Sequence, residues 1–409
     1  MGLCAGCADG AGQPESGVFH VWGSVDRAGG ASIRVARPPI CPRKRPQSVW
    51  IDRPEDKPVE LKDYLVAAKE ADASDIHLIA GEPPIMRVNQ VMTPMDFPVI
   101  TPEAAEEMFH HMAKENAIET FDRIQDADFS YQEPGVARYR VNAHRQRGMV
   151  ALAMRMIRTV VPPLESLHLP EVISRLTYLP RGLMLITGDT GSGKSTTLAA
   201  MIQAINQRYR KHIITLEDPV EYVFKSDKCI VEQRELGMDM PTFGSGLKHA
   251  LRQDPDIILV GEMRDLETTA LAISAAETGH LVFSTLHTVN ASQTVERIID
   301  MYPAGQQNQI RSMLANTLQA VISQTLFSRV DEPGMCPAVE ILLCTPAVRN
   351  LIREQRTFEI PNVIETSRSL GMTNLDASIA ELYFNGMISK EDAIAQAAFP
   401  DKLERQLVA

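Results

Sequence analysis

The apolar positions of the chain fall into two regimes. Up to Ile157 they come in short segments that switch between helical and strand spacing. Leu61, Tyr64, Leu65 and Ala68 recur at helical intervals, Ala73–Leu78 alternates as a strand, and Ile85–Asn89 reads as its return after the turn Gly81-Glu82-Pro83-Pro84. Thr101, Pro102 and Glu103 start a helix, with a capping hydroxyl and a proline at the first position. Ala127–Tyr131 and Ala137–Asn142 form an antiparallel pair around Pro134-Gly135, and Ala151–Ile157 supplies a further strand. The pattern is that of a small α+β domain ending near Val160.

Beyond the linker signal Val161-Pro162-Pro163 the spacing changes. Apolar runs at Gly182–Thr187, His212–Leu216, Asp256–Val260 and Leu281–His287 are separated by helical stretches at Leu198–Asn206, Thr242–Arg252 and Leu266–Thr278. Strands alternating with helices predict a parallel sheet with crossover helices. Ser292–Asp300 and Gln306–Phe327 read as helices, as do Ala347–Glu354 behind the cap Thr345-Pro346, then Asn374–Gly386 and Ser389–Ala398. Four parts follow: an extension over 1–56, an α+β domain over 57–160, an α/β core over 161–331 and a helical region over 332–409.

Composition narrows the setting. Hydrophobic content of 44% and charged content of 23% over 409 residues are ordinary for a globular chain. The formal net charge of -11 argues against a general nucleic-acid or anionic-membrane binder, so no DNA or RNA partner is expected. No apolar stretch nears the roughly 18 residues of a spanning helix, and no signal peptide opens the chain, so the expected setting is the cytosol, free or on a membrane-associated assembly. The first 56 residues, rich in Gly, Ala, Pro and Arg with the run Arg43-Lys44-Arg45-Pro46, read as a disordered, solvated tail. Cys4 and Cys7 have CxxC spacing, but His20 and Cys41 are poorly spaced to complete a zinc site, and free thiols are expected.

The chemistry centres on Gly188-Asp189-Thr190-Gly191-Ser192-Gly193-Lys194-Ser195-Thr196, set between an apolar strand and a helix. Strand, glycine loop and helix are what a phosphate-binding loop needs, because glycines let backbone N–H groups turn inward and the helix N-terminus adds positive potential. Lys194 is placed to reach the β- and γ-phosphates, and the Ser195 hydroxyl to ligate Mg²⁺. Asp256–Val260, an apolar strand followed by Gly261 and Glu262, has Walker B geometry, with Glu262 placed to orient and deprotonate water. His280 and His287 flank one strand; a structural role is expected of at least one, and His287, at the C-terminal tip, is the better phosphate sensor. The arginines Arg138, Arg140, Arg145, Arg147, Arg155 and Arg158 either cap a solvated face or are mounted to neutralise phosphate charge.

Together these motifs resemble the secretion-type ATPases of type IV pili and type II secretion, and within them the PilT-like retraction ATPases. The likeness runs from about Leu61 to about Ala398. It rests on the Walker A loop at 188–196, the aspartate box Ile214–Tyr222, the Walker B stretch Asp254–Asp265 and the histidine box Glu277–Thr288, in that order. The retraction type is indicated by Ala347-Val-Arg-Asn-Leu-Ile-Arg-Glu354, similar to a C-terminal motif those members need, by Ala73–Leu78 and Gly81–Val88, and by the lack of an extra N-terminal domain and a four-cysteine insertion. The resemblance implies a PAS-like first domain, a RecA-like second domain, and a homo-hexameric ring that binds ATP between the domains. It implies ATP hydrolysis with Mg²⁺, twitching motility as the output, and the inner-membrane platform protein of the pilus machine as partner, with the ring peripheral to that machinery. It makes Arg140, Arg147 and Arg155 phosphate contacts and Glu217 a candidate for positioning water or Mg²⁺. Asp189 departs from the family, which usually has proline there, and the N-terminal extension has no counterpart; it is a tail or the product of an upstream start codon. The alternatives are a pilus extension or secretion ATPase, and a non-hydrolysing accessory ring.

Overall fold

The computed structural model describes residues 59–88, 91–157 and 160–408. The stretch 1–56, with Cys4, Cys7, His20 and Cys41, and also Arg158, lies outside the described residues.

The first lobe runs α1 (Leu61–Glu70), β1 (Asp75–Ile79), β2 (Ile85–Val88), β3 (Val91–Pro94), α2 (Pro102–Met112), α3 (Glu115–Ile124), β4 (Asp126–Glu133), β5 (Ala137–Gln146) and β6 (Met149–Ile157). Its strands form one antiparallel sheet in the order β3-β2-β1-β6-β5-β4. The predicted helical face of α1 is the buried one: Leu61, Tyr64, Leu65 and Ala68 all enter the core. Thr101 accepts the Ala104 N–H at 3.1 Å, the cap expected ahead of Pro102. β3 and α3 are additions to the sequence reading. Val91 and Met92 are exposed, so that edge strand shows no inward-facing alternation.

The second lobe continues with α4 (Glu171–Leu176), β7 (Gly182–Thr187), α5 (Lys194–Arg208), β8 (His212–Glu217), β9 (Ile230–Glu235), α6 (Phe243–Ala250), β10 (Ile257–Val260), α7 (Leu266–Glu277), β11 (Leu281–Leu286), α8 (Ala291–Asp300), α9 (Ala304–Thr317), β12 (Leu318–Ser328) and β13 (Met335–Leu343). Then come α10 (Pro346–Arg353), α11 (Ile360–Thr366), α12 (Leu375–Phe384), α13 (Lys390–Ala395) and α14 (Pro400–Val408). The strands form a seven-stranded sheet ordered β13-β12-β7-β11-β10-β8-β9, parallel except for β13. β7, β10 and β11 are buried along their whole length, which is why their sequences are near-continuous apolar runs. One core holds α6 to α10 against one face of the sheet, and another holds α4 and α5 against the other. This is a doubly wound α/β fold.

Two stretches differ from the sequence reading, Gln306–Phe327 and the start of the helical region expected over 332–409, where Met335–Leu343 is strand β13. Gln306–Phe327 is not one helical stretch: α9 stops at Thr317, and Leu318–Ser328 is strand β12, parallel to β7 and antiparallel to β13. The run Leu318-Gln-Ala-Val-Ile-Ser-Gln-Thr-Leu-Phe327 is buried on both faces of the sheet, so its apolar positions show neither a strand nor a helix period. The helical C-terminal part accordingly begins after the edge strand β13.

The two lobes meet through few polar contacts. Arg138 on β5 lies 2.5 Å from the buried carboxylate of Glu235 at the end of β9. Asn116 at the start of α3 donates to the Gly237 carbonyl at 2.8 Å. Removing one partner of a buried ion pair costs about 3–5 kcal/mol, because the other charge is stranded.

Candidate nucleotide-binding site

The loop between β7 and α5 turns on Gly188, Gly191 and Gly193, with φ of +136°, +83° and +86°. Two of these also face a wall. A Cβ on Gly188 would fall 2.2 Å from the Gln324 carbonyl oxygen, and one on Gly193 would fall 2.5 Å from Leu326. Gly191 faces open space. The loop is therefore pressed against β12 on one side and open on the other. Gln324 fastens it, donating through Nε2 to the Ser192 carbonyl at 2.7 Å and accepting the Thr197 hydroxyl at 2.9 Å. Sequence reading missed Gln324 because its segment was assigned to a helix.

Lys194 is buried, and its Nζ donates to the carbonyls of Gly188 and Asp189, each at 2.7 Å. Burial pulls its pKa down, opposed by the carboxylates of Glu262, Asp189 and Glu221. Asp189 itself is exposed and does not line the cavity. Ser195, in the first turn of α5, does line it, and so do Thr190, Gly191, Gly193 and Thr196. Thr196 meets the Tyr222 hydroxyl at 2.9 Å.

The acidic residues stand at strand ends. Glu217 closes β8; it accepts Thr215 Oγ1 at 2.6 Å and Gln233 Nε2 at 3.0 Å. Burial pushes its pKa up, and those hydrogen bonds only partly offset this. Glu262 follows β10. Arg264 donates to one of its oxygens at 2.7 Å, and His287 Nε2 lies 3.4 Å from the other. Arg264 also reaches Asp218 at 3.5 Å. Two residues beyond Glu262 in a turn, Arg264 was visible in the sequence but had no reason to be singled out. His280, at the far end of β11, sits 2.9 Å from the Ala275 carbonyl through Nδ1 and is a structural residue.

All of this surrounds one cavity of about 620 Å³, within the range of small-molecule sites. Lys194, Ser195, Glu217, Glu262 and His287 line it from the second lobe, and Arg140 and Arg155 from the first. Those two arginines are cross-strand neighbours on β5 and β6. Arg155 lies 2.9 Å from Asp75, and Arg140 3.9 Å from Asp128. Arg147 is not brought to the cavity: it sits in the β5–β6 turn with φ +52°, roughly 20 Å along the strand from Arg140 at about 3.3 Å per residue.

Glycine loop, helix N-terminus and carboxylates at the C-terminal ends of a parallel sheet define a RecA-like P-loop fold, with its site where open α/β sheets bind ligands. Residues 56–370 match the model of the family described as "Type II/IV secretion system protein", and the chain belongs to that family. It is 45% identical over 343 residues to the "Type IV pilus retractation ATPase PilT" of Pseudomonas aeruginosa, covering 84% of this chain and 99% of that protein. It is 45% identical over 314 residues to a "Twitching motility protein" of Neisseria gonorrhoeae, covering 77% of this chain and 84% of the other. Its fold is similar to a crystal structure of the pilus retraction motor PilT with bound ADP, with a TM-score of 0.80 and 43% identity over 85% of this chain and all of that one. Among the described residues, no helix is long and apolar enough to cross a membrane.

Proposed function

We propose that the protein is a cytoplasmic, hexameric ATPase that powers type IV pilus retraction, and with it twitching motility, by acting on the inner-membrane platform protein. The observation that carries the reading is the single cavity lined by Lys194, Ser195 and Glu262 from one lobe and by Arg140 and Arg155 from the other. The 45% identity to a retraction ATPase, over nearly all of that protein, supports the output.

The chemistry is transfer of the γ-phosphoryl group of ATP to water, in which positioning and charge neutralisation do most of the catalysis. A lysine ammonium has three donors, so Lys194 can keep both loop carbonyls and offer its third N–H to a phosphate oxygen. The open side of Gly191 leaves room for phosphate against the loop backbone, and the first N–H groups of α5 have no carbonyl a turn behind them. Glu262 accepts the proton of the attacking water, and His287 beside it senses the γ-phosphate. Glu217 helps to place the water. Arg140 and Arg155 close on the phosphates when the lobes approach, and Arg147 joins only if a neighbouring subunit presents it.

The site also fits Mg²⁺. Ser195, in the first turn of α5, lines the cavity and would offer its hydroxyl to an ion otherwise held by phosphate and water. An ion held there would supply neutralisation of phosphate charge.

A strain carrying Lys194→Ala tests the output. A retraction motor leaves it over-piliated and unable to twitch, whereas an extension ATPase leaves it bald. Purified protein tests the chemistry, since an accessory ring binds nucleotide without turnover.

A further inference from the structure

Glu235 is the last residue of β9 and stands in register with Glu217, the last residue of β8. The segment leaving β8 carries Asp218, Pro219, Glu221 and Tyr222 into the lining of the nucleotide cavity. Its backbone is held from behind by Gln233, whose Nε2 donates to the Tyr222 carbonyl at 2.8 Å, and by Glu235 at Val220. Glu235 Oε2 accepts the buried Val220 N–H at 3.2 Å, and the same oxygen receives Arg138 Nη2. Among the described residues, Arg138 is the cation paired with Glu235. It comes from the other lobe, and its Nε is buried without a partner, so the hold is a single contact. Arg138 and Arg140 are two apart on β5 and share a face, roughly 7 Å from each other. One guanidinium meets the strut behind the loop; the next lines the cavity in front of it.

From this juxtaposition we infer that Arg138 and Glu235 are positioning residues that make the shape of the nucleotide cavity depend on where the first lobe stands. When β5 is seated, Arg138 pairs with Glu235 and keeps its carboxylate aimed at the Val220 N–H, and the loop presents its cavity face while Arg140 arrives at the phosphates. When β5 withdraws, the buried carboxylate loses its counter-charge, and the Val220 part of the loop loses its hold in the same movement. Binding couplings are reciprocal, so nucleotide that needs the anchored loop draws β5 back to its seat. The inference rests on the nucleotide-binding reading above.

The test is the affinity for N-methylanthraniloyl-ADP, followed by fluorescence, and KM and kcat for ATP, on the full chain below the melting temperature of each variant. Arg138→Gln is expected to weaken ADP binding and raise KM by about tenfold, within the usual size of such couplings. Arg138→Lys is expected to bind within about threefold of the parent, since a single contact needs charge and not a guanidinium fork. Glu235→Gln, which keeps an acceptor for Val220 but drops the charge, is expected to weaken binding without unfolding the protein. The double variant Arg138→Gln/Glu235→Gln should bind no worse than the weaker single variant, because residues acting as one unit are not additive. Unchanged affinity and KM in Arg138→Gln and Glu235→Gln overturn the inference, and so do losses that add in the double variant. Parent protein that did not bind the ADP probe would instead overturn the nucleotide reading, and this inference with it.

Discussion

Arg264 donates through Nε to the carboxylate of Glu262 at 2.7 Å, two residues back along the same turn. With His287 at 3.4 Å from the second oxygen, the carboxylate is held from both sides at the tip of the sheet. Glu262→Gln keeps the shape and removes the proton acceptor. Its kcat is expected to fall by about 10²–10⁴, the range of general-base contributions, with ADP affinity little changed. Arg264→Ala removes only the orientation and should lower kcat by about 10- to 100-fold. Steady-state phosphate release checks both, and a Glu262→Gln enzyme with full turnover would move the base elsewhere.

The loop depends on β12 as much as on its own glycines. Gly193→Ala would place a methyl group 2.5 Å from Leu326 and 2.7 Å from Gln324 Nε2, at a φ that side chains rarely adopt. Nucleotide binding is expected to be lost. Gln324→Leu keeps the bulk but strands the Ser192 carbonyl and the Thr197 hydroxyl, each worth about 1–3 kcal/mol when buried and unpaired. Titration with fluorescent ADP should show weakening of about tenfold or more, 1.4 kcal/mol corresponding to each factor of ten.

How much of this was legible follows from where each residue gets its geometry. The phosphate loop, Glu217 and Glu262 could be placed from sequence, because a buried parallel strand announces itself as an apolar run and its tip is the next polar residue. The caps at Thr101 and Thr345 were legible for the same local reason. β12 was not. It is buried on both faces and follows α9 without a break, so Gln324 could not be connected to a loop about 130 residues earlier. Glu235 was equally hidden, and Arg138 stood out only as one of six first-lobe arginines, because only the packing of two lobes makes the two neighbours.

Glu217 gives a pH prediction. Burial raises its pKa, so the folded chain holds this proton at pH values where the unfolded chain has released it. Its contribution to stability is complete below the unfolded glutamate pKa of about 4.3 and is lost as pH rises through the higher folded value. Gln is neutral throughout and keeps an acceptor for Thr215 and Gln233. Relative to the parent, Glu217→Gln should therefore gain in Tm as pH rises from 5 to 8 and show no gain at the acid end. Parallel Tm–pH curves would mean that ionising Glu217 costs the fold nothing.

The arginines of the first lobe separate into two groups. Arg140 and Arg155 are well exposed; Arg140 makes a surface pair with Asp128 of about 0–1 kcal/mol, and the more shielded Asp75 beside Arg155 keeps Arg87 at 3.7 Å and the Ser74 hydroxyl at 2.8 Å, so Ala at either position should alter Tm little. Turnover is another matter, because an arginine that meets transition-state charge can contribute about 10³-fold or more. Arg140→Ala and Arg155→Ala are expected to retain their melting temperature and lose hydrolysis. Arg147→Ala, distant from the cavity of its own chain, is expected to bind fluorescent ADP like the parent. Equal loss of turnover in Arg147→Ala and Arg155→Ala would mean that Arg147 enters the site of an adjacent subunit.

The motif Ala347–Glu354 is an internal clamp before it is anything else. Arg349 on α10 donates to the Ala315 carbonyl at 2.5 Å and the Asn316 carbonyl at 2.8 Å, at the C-terminal end of α9, and to Gln319 Oε1 at 3.3 Å in β12. Arg353 donates to Asn316 Oδ1 at 2.7 Å. Cations at a helix C-terminus satisfy carbonyls that have no partner in the next turn. They also fix the junction from which β12 runs alongside β7 to Gln324 and the phosphate loop. Arg349→Ala should therefore cost about 1.5–3 kcal/mol, typical of hydrogen bonds to a charged group. It should also weaken nucleotide binding, although Arg349 lies outside the cavity. Chemical denaturation and ADP titration of the same sample decide the matter. If both were unchanged while retraction was lost in cells, Arg349 would serve a partner protein and not the fold behind the loop.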